Sequence, residues 1–431
     1  MLKINEDGVK YVLHQAKEND VKFIRLWFSD ILGNLKGFSI TIEELERGLS
    51  NGISFDGSSI EGFARSDERD LYAFPDPNTF SLIPWKSGTT TVARIFCDIY
   101  TPENNSFEGD PRYVLRRNLQ RATEMGYTYY VAPEMEHFYF KSNKTTEPID
   151  LEGYFDQLDN SFSGELRNET VLALEEFGIP VGSTHHEASS SQHEIDLRHT
   201  DALTMADTVM TYRLVVKEIA KKYGCHATFM PKPISDINGN GMHIHQSLFH
   251  GNDNVFFDPD DKVYLSKTAR SFIAGLLKHA REITAITNQW VNSYKRLVSG
   301  FEAPTYISWA LVNKADLIRV PSYRMGNNSS RRIEYRAPDP ACNPYLAFSV
   351  MLAAGLEGIE NNYELLEFEN KNEKLPSNLW EAILITENSE LVHKALGDYV
   401  FNSFIENKKI EWELYNTKVT KYELDRYMPI L

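Results

Sequence analysis

Cysteine is scarce: Cys97, Cys225 and Cys342 are the only three in 431 residues, far apart and without a CxxC pair. That excludes a disulfide framework and a sulfur-based metal site. It also fits a reducing compartment, so a cytoplasmic location is expected. Long apolar runs are missing too. The longest, around Phe348 to Gly355, is far short of a membrane span, and the segment MLKINEDGVKYVLHQ lacks the apolar stretch of an export signal. Basic charge is in deficit, with Lys+Arg 45 against Asp+Glu 61 and a net charge of -16. Nucleic acid and anionic membrane both require a basic footprint, so neither is an expected partner, and the acidic groups are available for cations. No Walker A motif and no GxGxxG occurs, so any bound phosphate must be held by other means. The rest is ordinary for a globular chain: 42% hydrophobic and 25% charged residues exclude general disorder, and the length gives room for two or three domains.

Apolar spacing predicts a helix over 8–16, followed by a strand over 23–28, a turn at Leu32-Gly33-Asn34, a strand over 38–42, a short helix carrying Leu45 and Leu49, and a β-branched strand over 89–96. The polar stretch TPENNSFEGDP combines turn formers with a proline suited to open a helix. It divides the chain near residue 106 into 1–106 and 107–431. Beyond it, helices are expected over 113–125, 166–177, 202–223, 267–284 and 344–358 and through most of the C-terminal segment, with strands over 132–140, 227–230, 242–248 and 331–336. The fold class is α+β: a small N-terminal α+β domain and a large catalytic domain of antiparallel strands backed by helices.

Three of those strands alternate polar and apolar residues. Glu134 and Glu136 flank Met135; His243, His245 and Ser247 alternate with Ile244 and Gln246; Arg332, Glu334 and Arg336 alternate with Ile333 and Tyr335. A period of two puts each polar set on one face of its strand, so the three together predict a sheet lining a polar funnel. The segment HHEASSSQHEID adds Glu187 and Glu194. Five glutamates converge only if protons or cations neutralise them. Oxygen-rich donors with a single imidazole suit Mg²⁺ or Mn²⁺, and a pair of such ions is a common clamp for phosphoryl chemistry. Arg296, Arg319, Arg332 and Arg336 are candidates to hold phosphate or carboxylate, because a guanidinium forks onto either.

FDGSSI, APEMEHF, HHEASSSQHE, KPISDINGNGMHIHQS, NSYKRL, GFEAP, RRIEYR and PDPACNPYLA stand in an order that resembles glutamine synthetase of the bacterial type I over essentially the whole chain. The resemblance implies a β-grasp-like N-terminal domain and a catalytic domain whose curved antiparallel sheet forms a funnel between ATP and glutamate entrances. It also implies ATP-dependent joining of ammonia to the γ-carboxylate of L-glutamate through a γ-glutamyl phosphate. By motif position, Glu136, Glu187 and Glu194 correspond to the ligands of one Mg²⁺ or Mn²⁺, and Glu134, His243 and Glu334 to those of a second. Asn238, Gly239, Arg296 and Arg336 correspond to glutamate contacts, and His245, Ser247, Arg319 and Arg332 to the ATP site. Asp56, Ser59, Tyr154 and Glu187 correspond to the ammonium pocket, Asp56 as proton acceptor, and Glu302 to the flap that closes over it. The family precedent further implies a homo-oligomer, a dodecamer of two stacked hexameric rings with sites between subunits, with scope for a regulatory protein partner.

Departures from the family pattern are Ser299 in place of a usual proline, Lys314 in place of a usual arginine at the phosphoryl site, and divergence beyond Asp156. The stretch from Tyr363 to Pro376 is shorter than in the adenylylated subtype and resembles the feedback-regulated one. The rival readings are a γ-glutamyl-amine ligase, which would remodel the ammonium pocket, a catalytically dead regulatory homologue, which would lose metal ligands, and a plain two-metal phosphohydrolase, which needs no second-substrate pocket.

Overall fold

The computed structural model describes residues 5–58, 60, 62, 70–85, 90–157, 161–313, 315–366 and 373–431. In the N-terminal sheet the strands lie in the order Leu35–Thr41, Val21–Ser29, Thr91–Tyr100, Asp70–Pro75, Ile53–Asp56, and Ser81–Leu82 also pairs with Thr91–Tyr100. Its central pair, Val21–Ser29 and Thr91–Tyr100, is parallel. Val12 and Ala16 of helix Glu6–Glu18 join Ile24, Leu26 and Ile95 in a small core. This is the expected β-grasp-like unit.

A larger sheet follows, ordered Trp309–Ala310, Ile318–Arg319, Ile333–Tyr335, Met242–His250, Thr128–Phe140, Gln192–Leu197, Val181–His186. Its pairings are antiparallel except for Trp309–Ala310 with Ile318–Arg319. Helices Ala202–Lys222, Lys267–Lys278 and Pro344–Glu360 share the large core with the apolar residues of these strands. A Cβ on Gly275 would lie 2.1 Å from the carbonyl oxygen of Ala354, so glycine there is what lets the last two helices approach so closely. The helix expected over 267–284 is two helices, Lys267–Lys278 and Ala280–Thr287, broken at His279 (φ -100°, ψ 9°). The break lets one stretch of sequence serve two partners: both halves pack on Pro344–Glu360, and the second also packs on Leu379–Glu387.

The junction between the two sheets is polar and buried. Gly33 has φ +77°, and a Cβ there would meet Asn343 Cα at 2.7 Å, so the turn at 32–34 requires glycine on both counts. Asn343 Nδ2 donates to the carbonyls of Asp30 (3.0 Å) and Ile31 (3.2 Å), and Gln289 Nε2 donates to that of Leu32 (2.7 Å). Arg112, at the start of helix Pro111–Glu124 and 2% exposed, reaches Asp76 and Asp98 on the N-terminal side and Asp207 on the other. Tyr345 completes the set by donating to Asp207 at 2.6 Å. Asp76 and Asp98 also pair with Arg116, but Arg112→Met would leave the buried Asp207 without its cation. The substitution is expected to destabilise the fold by about 3–5 kcal/mol, the usual cost of removing one partner from a buried ion pair. A urea midpoint unchanged from wild type would contradict that.

Candidate active site

Strand register assembles the site. Thr128–Phe140 runs through the middle, where Glu134 lies opposite His243 on one side and Asp196 on the other, and Glu136 lies opposite Glu194. One strand further out His245 faces Glu334, which in turn faces Arg319. Directly opposed residues share a face, so all of these side chains point one way. The alternate residues Met135, Ile195, Ile244, Ile333 and Tyr335 point the other way and are fully buried. The apolar face drives the packing and the polar face is displayed as a consequence.

A cavity of about 530 Å³ opens on the polar face, walled by Glu134, Glu136, Glu187, Glu194, Asp196 and Glu302 among others, with Arg319 and Arg336 as its cations. His243 sits between two groups of carboxylates. Its Nδ1 is 3.2 Å from Glu134 and 3.8 Å from Glu334, while its Nε2 is 3.9 Å from Glu136. Burial and the charge of Arg336 hold this imidazole down to about 4, so it stays neutral. Glu136 accepts from the Gly241 N–H at 2.8 Å and from Gln192 Nε2 at 3.0 Å. Burial, followed by the charge of Glu187, still pushes its carboxyl up to about 8. Glu194 is raised for the same reasons, burial first and then Glu136. Burial also works against ionised Glu134, but hydrogen bonds from His243 and His245 overcome it and lower its carboxyl. Glu334 is fully buried and bonded to both Arg319 and Arg336.

The donor chemistry fits divalent cations. Ligand atoms of Glu134, His243 and Glu334 lie within 4.8 Å of one another, as do those of His185, Glu194 and Asp196. Carboxyls that burial and mutual repulsion force toward neutrality are the ones a hard cation would let ionise. His185 and Asp196 escape the motif reading. The signal for Asp196 is available in the period of two from Glu194, and that for His185 is its place opposite Glu194 in the hairpin. Glu187 is turned toward His185, with Nε2 to Oε1 at 2.9 Å.

A second cavity of about 350 Å³ shares Glu134 and Asp196 with the first and contains His245, Ser247 and Arg332. Arg332 Nε donates to His245 Nδ1 at 3.1 Å, which leaves Nε2–H of His245 to donate to Glu134 at 2.6 Å. The Glu134 and Asp196 carboxyls thus lie between the carboxylate-rich chamber and one carrying a histidine, a hydroxyl and a guanidinium.

The remaining candidates are placed as follows. Tyr154, 49% exposed, lines the first cavity, where burial and the charges of Glu187 and Glu194 raise its hydroxyl. Glu302 lines it as well, in the left-handed region with φ +52°, just after Gly300 at +95°. Asn238 and Gly239 lie on the loop before Met242–His250, and the Gly239 carbonyl accepts from Gln192 at 3.0 Å. Arg296, which the sequence sets in a Gly- and Pro-punctuated stretch that reads as a loop, ends the short helix Ser293–Arg296 and is 2% exposed. It donates to the carbonyls of Ala337 (2.7 Å), Pro338 (3.2 Å) and Arg336 (3.1 Å), so it braces the strand end that carries Arg336. Asp56 ends the strand Ile53–Asp56 and is absent from the walls of both cavities within one chain. Ser59 and Lys314 lie outside the described residues.

The glutamine synthetase β-grasp domain model matches residues 20–102, and the glutamine synthetase catalytic domain model matches residues 108–427. A glutamine synthetase of Mycolicibacterium smegmatis is 50% identical over 98% of this chain and 99% of its own. That of Thermotoga maritima is 46% identical over 96% and 97%. Among solved structures, a cryo-EM Plasmodium falciparum glutamine synthetase superposes with a TM-score of 0.90 at 25% identity, covering 99% of both chains. A GmaS/ADP complex superposes with a TM-score of 0.88 at 30% identity, covering 97% of this chain and 99% of that one. Two domain models and full-length relatives agree with the funnel built here: this chain belongs to the glutamine synthetase family and is a ligase.

Proposed function

We propose that the ligase joins ammonium nitrogen to the γ-carboxylate of L-glutamate at the expense of ATP, through a γ-glutamyl phosphate. The observation that carries this reading is the wall that Glu134 and Asp196 form between two chambers. The chamber with His245, Ser247 and Arg332 adjoins the carboxylate-rich one, so a γ-phosphate entering from one side would meet a carboxylate held on the other. Arg336 and Arg319, which line the carboxylate chamber, would receive carboxylate and phosphoryl oxygens, and the Asn238–Gly239 loop would border the amino acid. Arg296 supports Arg336 from behind, and its three carbonyl bonds leave two of the five guanidinium N–H groups to reach glutamate.

Two Mg²⁺ or Mn²⁺ ions would be held, one by Glu134, His243 and Glu334, whose ligand atoms already cluster, and one by Glu136, Glu187 and Glu194, of which Glu194 clusters with His185 and Asp196, and there they would neutralise the charge of the transferring phosphoryl group. The chain's own residues do the rest. Arg319 and Arg336 orient the reacting oxygens, and Tyr154 and Glu187 provide a ring face and a negative charge for ammonium. Asp56 of a neighbouring subunit takes its proton, and Glu302 closes the chamber so that water does not intercept the acyl phosphate. This assignment requires an oligomer, which we take to be the dodecamer of two hexameric rings. A cytoplasmic enzyme divided at about residue 106 is consistent with it, and among the described residues no helix is long and apolar enough to cross a membrane.

The test offers the purified protein glutamate and ATP with ammonium or with a panel of primary amines and identifies the amide formed. Glutamine as the preferred product supports the reading. Faster use of a primary amine would replace ammonium with that amine as the donor, and ATP turnover indifferent to glutamate would overturn the reaction altogether.

A further inference from the structure

Behind the carboxylate face lies a polar cluster that the reaction does not use directly. His186 and His193, opposite each other on the hairpin Val181–His186 and Gln192–Leu197, are fully buried and turned away from the cavity. Asp150 lies close to both: its Oδ1 is 2.9 Å from His186 Nε2 and its Oδ2 is 3.2 Å from His193 Nε2. Their ligand atoms are within 4.8 Å of one another, the spacing of a metal site. Hydrogen-bond polarity argues against one. Arg167 NH1 is 2.9 Å from His193 Nδ1, and a guanidinium only donates, so Nδ1 accepts and Nε2 carries the proton. His186 Nδ1 is 2.6 Å from the Glu187 carbonyl oxygen, which only accepts, so Nδ1 donates there while Nε2 faces Asp150. A cation here would have to displace the bonds that both imidazoles make to Asp150.

The cluster instead ties together three pieces of the nitrogen-donor pocket. His186 and His193 immediately precede Glu187 and Glu194 in the chain. Asp150 Oδ1 also accepts from the N–H of Ser191 at 2.8 Å, and Ser191 Oγ accepts from the N–H groups of Ile149 (2.7 Å) and Asp150 (3.0 Å). Phe155 N–H donates to the His186 carbonyl at 3.1 Å. The Tyr154 and Phe155 rings stack at 4.1 Å, and the edge of His185 closes on Phe155 at 4.7 Å. We propose that Asp150 is a positioning residue that fixes the Tyr154 loop, Glu187 and Glu194 in one register, so that the nitrogen-donor pocket and its adjoining cation site are formed before the donor arrives. The proposal rests on the ammonium reading of that pocket.

Asp150→Asn and Asp150→Ala in the full chain test it. Asparagine keeps the shape but turns an amide N–H₂ toward a nitrogen that already bears a proton. Loss of a partner behind a ligand costs about 10- to 100-fold in affinity, so the KM for ammonium and the Mn²⁺ dissociation constant from calorimetry should each rise about tenfold in Asp150→Asn, and further in Asp150→Ala, with the KM for ATP unchanged. A folded Asp150→Asn enzyme that loses only kcat or stability, with its ammonium KM and Mn²⁺ affinity intact, would overturn the proposal. So would an equivalent of Zn²⁺ bound by wild type, lost in Asp150→Asn and retained in Glu136→Gln, which would make the cluster a metal site. Failure of the ammonium reading is seen separately, as wild-type preference for a primary amine. The same constants measured with that amine then decide the role of Asp150.

Discussion

Glu136→Gln is expected to leave the protein folded and to lower Mg²⁺-dependent glutamine formation by roughly 10²- to 10³-fold, the scale of losing one charge-stabilising group from a preorganised site. The fold survives because glutamine can still accept from the Gly241 N–H and Gln192 Nε2, and because the substitution relieves repulsion among carboxyls that burial already pushes toward neutrality. Activity falls because the charge that would hold a cation is gone. Glu334→Gln should differ in kind. Its carboxylate is fully buried and is the counter-charge of Arg319 and Arg336. Losing it therefore costs about 3–5 kcal/mol of stability in addition to activity. Calorimetric Mn²⁺ titration beside urea unfolding separates the two. Full activity in Glu136→Gln would count against the two-cation site, and equal stability of the two variants would count against the ion-pair role of Glu334.

Asp56→Ala should reduce glutamine formation by roughly 10²- to 10⁴-fold, as expected for a lost proton acceptor, while glutamate-dependent formation of the acyl phosphate persists. Within one chain Asp56 lies at the end of an N-terminal strand, whereas Glu302 lines the carboxylate cavity. If the neighbouring subunit supplies Asp56, then mixing inactive Asp56→Ala and Glu302→Ala chains after dissociation should restore part of the activity through hybrid sites carrying neither lesion. Proven mixing without recovery would place each site within a single chain.

The strands bearing Glu134, Glu136, His243, His245 and Glu334 were legible because one face of each is apolar and the other chemical, which leaves a clean period of two. The hairpin Val181–His186 and Gln192–Leu197 was not. Ile195 and Leu197 mark its back face as apolar, while His186 and His193 on that same face are as polar as Glu194 and Asp196 on the front, so the alternation is broken and the roles of Asp150, His185 and Asp196 stayed hidden with it. The break at His279 was invisible because both halves keep helical spacing, and only the two packing partners distinguish them. Arg296 looked like a loop charge because Gly300 and a proline follow closely, yet three backbone carbonyls hold it in the interior. Motif order names Asp56 and Glu302 but says nothing about which residues of one subunit meet those of another.

If ATP activates the γ-carboxylate before nitrogen attacks, heavy oxygen must pass from glutamate to phosphate. Glutamate labelled in its γ-carboxylate is turned over with ATP and ammonium, and the released phosphate is analysed by mass. An acyl phosphate requires one labelled oxygen per phosphate, because the carboxylate oxygen that attacks phosphorus leaves with it when the amide forms. Unlabelled phosphate released at the same rate as glutamine would contradict the account.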